Sequence, residues 1–100
     1  MSSGYNVNMA DEIDLGNGQH ARLYPNPVTT DLTIKWQINS GSSLNISITD
    51  LQGRPVVTLM DLTEQGATIN LSALSPGYYL LKMYSSESGI NKTVKILKAN

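Results

Sequence analysis

Few side chains in this sequence could take part in bond-making chemistry. His20 is the one histidine of the 100 residues, and there is no cysteine. A lone imidazole lacks the further ligands that hold a transition metal, and lacks the partner that would make it a catalytic base. Serines are plentiful but gather in turn clusters such as Asn39 to Ser43 and Ser85 to Gly89, where no base can activate them. Asp11, Glu12 and Asp14 are the only dense acidic group, and a hard cation wants several oxygen ligands at fixed spacing. The run Asp-Glu-Ile-Asp-Leu-Gly does not have the spacing of a calcium loop. No glycine-rich phosphate loop is present. The expectation is a non-enzymatic chain with no catalytic residues, no metal and no cofactor.

What remains is the chemistry of charge and shape. The formal net charge is −1, which draws the chain neither to nucleic acid nor to an acidic membrane surface. The charge is unevenly distributed along the chain. The first twenty residues hold Asp11, Glu12 and Asp14 with no lysine or arginine, while the last nine hold Lys92, Lys95 and Lys98 with no acidic side chain. No apolar run approaches the roughly 18–20 residues that span a bilayer as a helix, so no membrane insertion is expected. The N-terminus lacks the apolar core of a signal peptide. With 40% hydrophobic residues, the chain reads as one domain.

The elements that position these groups read as strands. Leu32, Ile34, Trp36 and Ile38 alternate with Thr33, Lys35 and Gln37, and Leu44, Ile46 and Ile48 alternate with polar residues. With the turn cluster between them, these two stretches are expected to form a hairpin. His20 to Tyr24 is a short strand running into Tyr24-Pro-Asn-Pro27, where two prolines exclude helix and suit the first edge of a sheet. Asp50 to Arg54 is a tight turn with Gly53 at a positive φ, followed by a strand from Pro55 to Met60. In Gly66 to Tyr84, a strand carrying Ala67, Ile69 and Leu71 is broken by Ser-Ala-Leu-Ser-Pro-Gly77. Leu74 is expected to plug the end of the core from that loop. Tyr78 to Tyr84 is apolar on nearly both faces and should lie centrally in a sheet. Asn91 to Lys98 is the last strand, with Val94 and Ile96 inward and Lys95 outward. Residues 1–21 read as a linker or N-terminal extension and residues 22–100 as the domain. The count is seven short strands without helical periodicity, which indicates an all-β, seven-stranded immunoglobulin-like β-sandwich. Trp36 and Tyr79 are in phase with core positions. The prolines and terminal lysines would discourage pairing at sheet edges.

Four stretches in order carry a family resemblance: Leu23-Tyr-Pro-Asn-Pro27; Asp50-Leu-Gln-Gly-Arg54-Pro-Val; Ile69-Asn-Leu-Ser-Ala-Leu-Ser-Pro-Gly77-Tyr-Tyr-Leu-Leu-Lys82; and Lys92-Thr-Val-Lys95-Ile-Leu-Lys98. Residues 22–100 resemble the C-terminal sorting domain of the type IX (Por) secretion system of Bacteroidetes-type bacteria. The sequence departs from that pattern in having Tyr78 where an aliphatic residue is more usual, and in ending Ala99-Asn100. The resemblance implies an immunoglobulin-like sandwich at the end of a secreted protein. Such a domain directs an N-terminal passenger, absent from this chain, through an outer-membrane type IX translocon. It implies transit of the periplasm, then delivery to the cell surface or the extracellular space. A sortase-like peptidase commonly removes such domains and can attach the passenger to the surface. Carried over by position, the recognition motif would be Leu23, Tyr24, Pro25, Asn26 and Pro27, with Gly77, Tyr79, Lys92, Lys95 and Lys98. The competing reading is an accessory carbohydrate-binding or adhesion β-sandwich module. It would require Tyr78 and Tyr84 to be exposed beside Trp36.

Overall fold

A computed structural model describes residues 11–100, all of them strand, turn or loop. Eight strands form: β1 (Asp11–Gly16), β2 (Gln19–Tyr24), β3 (Asp31–Gln37), β4 (Leu44–Thr49), β5 (Pro55–Leu62), β6 (Gly66–Asn70), β7 (Gly77–Ser85) and β8 (Ile90–Lys98). They make two four-stranded antiparallel sheets, ordered β1-β2-β3-β6 and β5-β4-β7-β8. The all-β sandwich expected from the sequence is present, with one strand more than expected.

The additional strand is β1. Its residues were expected to be linker, but Ile13 and Leu15 are buried, and the strand pairs with β2 from Asp11↔Leu23 to Gly16↔Gln19. Two apolar residues in six are too short an alternation to stand out among polar neighbours. The expected boundary at residue 22 therefore cuts through β2. β2 is not an edge, because β1 lies outside it. The alternation of Tyr5, Val7 and Met9 lies outside the described residues.

The second correction concerns pairing. β3 and β4 do not form a hairpin: β3 pairs with β2 and β6, and β4 with β5 and β7. Both strands bury one face, and that requirement is met equally by two strands in one sheet or by one in each. Here residues 38–43 cross between the layers. β7 lies between β4 and β8, the central position its composition suggested.

The core lies between the layers. Leu23, Leu32, Ile34 and Trp36 face Ile46, Ile48, Leu81, Met83 and Ile96, all buried, and Leu74 packs partly buried at the margin. One end of the sandwich is knotted by buried Gln19. Its Nε2 donates to the Gly16 and Ser88 carbonyls at 3.1 and 3.2 Å, and its Oε1 accepts from the Asn39 N–H at 2.9 Å. A buried amide satisfied on both sides stabilises, where an unpaired one would cost.

Candidate functional site

The opposite end collects the β2–β3 connection (25–30), the β4–β5 turn (50–54), the β6–β7 loop (71–76) and the end of β8. Part of each of the four stretches singled out in the sequence reaches this end, although they lie tens of residues apart along the chain. Their meeting follows from the strand register. Gly77 at the start of β7 pairs with Lys98, Leu80 pairs with Thr49 at the end of β4, and Asp31 pairs with Asn70.

The link between the first and last stretches is a backbone bridge. Val28, fully buried, lies parallel to Lys98. Its N–H donates to the Leu97 carbonyl, and its carbonyl accepts from the Ala99 N–H, each at 2.8 Å. Asn26 Oδ1 accepts from the Leu97 N–H at 3.0 Å. The Tyr24–Pro25 and Asn26–Pro27 peptide bonds on either side of that contact are cis. The prolines have no N–H to satisfy, so Asn26 and Val28 carry the polar pairing of this segment.

Tyr79 anchors the second link. Its ring is buried in the core, and its hydroxyl donates to the Ser75 carbonyl four residues upstream at 2.7 Å. A tyrosine at the start of a strand, bonded back across the inter-sheet corner, is the tyrosine corner of immunoglobulin-like sandwiches. Gly77 opens the same corner at φ 145°, a conformation that resists any side chain.

The β4–β5 turn closes on Asp50. Its Oδ1 accepts from the Gln52 and Arg54 N–H groups at 2.9 Å, and its Oδ2 accepts from Arg54 Nε at 2.8 Å. The hydrogen bond from the Arg54 backbone N–H is the largest cause holding the Asp50 carboxyl below its ordinary pKa; desolvation works the other way, and the Arg54 guanidinium and the Gln52 N–H add to the lowering. Gly53 sits in this turn at φ 88°, as expected. Between the turn and the corner runs a shallow groove of about 270 Å³ lined by Leu51, Arg54, Pro76, Tyr78 and Tyr79. Leu51 and Tyr78 present apolar surface there, 61% and 50% exposed.

The ten candidate residues divide by depth. Leu23, Tyr79 and Lys98 are buried; Tyr24, Pro25, Asn26, Pro27 and Gly77 are half-buried; Lys92 and Lys95 are exposed. Lys98 does not stand in solvent with the other two lysines. It shares its parity with Val94 and Ile96, lies opposite Gly77, and its Nζ donates to the Ala99 carbonyl at 3.1 Å. Lys95 stands on the outer face, with its Nζ 5.1 Å from the centre of the Tyr78 ring. Val28, Leu97 and Ala99 were not singled out in the sequence. Periodicity cannot announce a bridge between a loop and a strand seventy residues on.

The aromatic platform of the competing reading does not form. Trp36 is buried on β3 in the other sheet, away from Tyr78 and half-buried Tyr84. Among the acids of β1, Glu12 pairs with Arg22 at 2.7 Å and Asp14 accepts from the Gly16 N–H at 2.8 Å. Among the described residues, no three acidic, histidine or cysteine side chains gather as metal ligands.

Set beside known proteins, residues 22–98 match a family model described as "Secretion system C-terminal sorting domain". No curated protein and no solved structure matches the chain.

Proposed function

The chain belongs to the family of secretion-system C-terminal sorting domains, and on that premise we propose how its sorting signal is laid out on the fold. The domain is a C-terminal sorting signal of type IX secretion, destined for the cell surface or the extracellular space by way of the Por secretion machinery. Its family is not an enzyme family. The machinery reads the end of the sandwich where the β2–β3, β4–β5 and β6–β7 connections meet the end of β8. The observation that supports this reading is the convergence itself: the Val28 bridge and the Tyr79 corner tie the β2–β3 connection, the β6–β7 loop and the end of β8 together at one end of the sandwich.

The candidate residues then have different roles. Leu23, Tyr79 and Lys98 are buried and shape the surface from beneath. Tyr24, Pro25, Asn26, Pro27 and Gly77 form its half-exposed floor. Lys92 and Lys95 are exposed and offer charge along β8. The folded domain crosses the periplasm behind an N-terminal passenger, the outer-membrane translocon engages this end, and a sortase-like peptidase acts after export.

The test fuses residues 1–100 behind an inert periplasmic reporter, in a host with a working type IX translocon and in one without it. Delivery to the surface or medium only in the first host supports the reading. Reporter retained by both hosts, with the domain shown to be folded, refutes it.

A further inference from the structure

The four sheet edges are not alike. β5 begins with Pro55, breaks register with β4 at two places, and holds Asp61 at φ 57°. β6 has only five residues, and β1 has six with a register shift between Asp14 and Gly16. Such irregularity and shortness blunt an edge. β8 is different. It pairs with β7 over nine consecutive residues without a break, and it contains no proline.

The outer edge of β8 is already used at one end. The Leu97 N–H and carbonyl and the Ala99 N–H all point away from β7, toward Asn26 and Val28. Backbone groups alternate sides along a strand, so Asn91, Thr93 and Lys95 point theirs the same way. No partner takes those groups among the described residues. β1 of the facing sheet passes nearest to β8 without pairing with it. The exposed Lys92 and Lys95 have opposite parity, so they flank this open edge on its two sides.

We propose that the edge of β8 from Asn91 to Lys95 is a strand-addition site that takes an extended acidic segment of the secretion machinery, in continuity with the Val28 bridge. The bridge supplies the precedent within the molecule, since this edge accepts a chain segment at its very next position. Main-chain bonds would supply the affinity, and carboxylates facing Lys92 and Lys95 the choice of partner. The same lysines repel a second copy of this strand, which sets an acidic partner strand apart from self-association. This inference rests on the sorting function and adds to it a partner chemistry and a docking geometry.

The test uses the reporter fusion in the translocon-bearing host. Thr93→Pro removes an N–H that β7 does not use, and an edge strand tolerates proline there. Thr93→Ala keeps the N–H. Lys92→Glu with Lys95→Glu reverses the charge and keeps the backbone. Thr93→Pro and the double reversal are expected to melt as the parent does and to lose delivery, while Thr93→Ala delivers normally. If Thr93→Pro does not fold, Lys95→Pro blocks the same edge one register step away. Normal delivery by a folded proline variant, or by the double reversal, overturns the proposal. A parent fusion that fails to deliver refutes the sorting reading instead, so the two failures are distinguishable.

Discussion

Tyr79 and Asp50 show how single side chains hold the reading surface. The Tyr79 ring is core and its hydroxyl ties the corner, so the two contributions can be separated. Tyr79→Phe keeps the ring and should cost about 1 kcal/mol, the worth of one hydrogen bond. Tyr79→Ala should cost about 3–5 kcal/mol, the range for truncating a large core aromatic. A urea melt measures both, and equal losses would show that the hydroxyl carries everything. Asp50 predicts a pH dependence. Its folded pKa lies below 3.8, so its contribution is complete above the unfolded value and is lost as pH falls through the folded one. The turn should hold down to about pH 4 and loosen below it, and amide exchange at Gln52 and Arg54 would follow that change. Gly53, Gly77 and the core role of Tyr79 were legible in the sequence, since local conformation and parity define them. The role of Asn26 was not, because its partner Leu97 is seventy-one residues away.

At the level of the element, strand positions were legible and strand partners were not. Alternation of apolar residues marks a strand and its buried face, and β3 and β4 carry that mark most plainly. It does not say which sheet a strand joins, which is why β3 and β4 read as a hairpin although they belong to different layers. β1 escaped notice because only Ile13 and Leu15 mark it. It should still matter to stability. Removing residues 1–10 leaves the eight described strands intact, whereas removing residues 1–21 takes β1, half of β2, and the buried Ile13, Leu15 and Ala21. Each large aliphatic side chain contributes about 1.5–3 kcal/mol on burial. The longer deletion should therefore lower the urea midpoint well below that of the shorter one. Equal midpoints would exclude β1 from the fold's energetics.

As a whole, the molecule is one core between two layers, tied by Gln19 at one end and by the Val28 bridge at the other. A domain of this size with a single core should unfold in one step. Trp36 is 4% exposed on β3 and reports core packing, while far-UV dichroism reports the strands of both layers. The two signals should trace one urea transition; separate midpoints would mean that the layers come apart independently. The fold class was legible because turn spacing and the absence of helical periodicity extend over the whole chain. The convergence at one end depends on the order in which strands join the sheets, and that information is distributed over long-range pairing.

The Val28 bridge also decides how the domain bears load. Val28 and Lys98 run parallel, and the chain enters this pair from the N-terminal side of Val28 and leaves it beyond Lys98. Tension applied across this pair, on the N-terminal side of Val28 and beyond Lys98, therefore drags one segment lengthwise past the other. The two 2.8 Å bonds and the Asn26 contact lie across that pull and must give way together. A terminal strand held only by β7 could be peeled away one bond at a time. Here the bridge acts as a shear clamp, and the domain resists being drawn out by its tail.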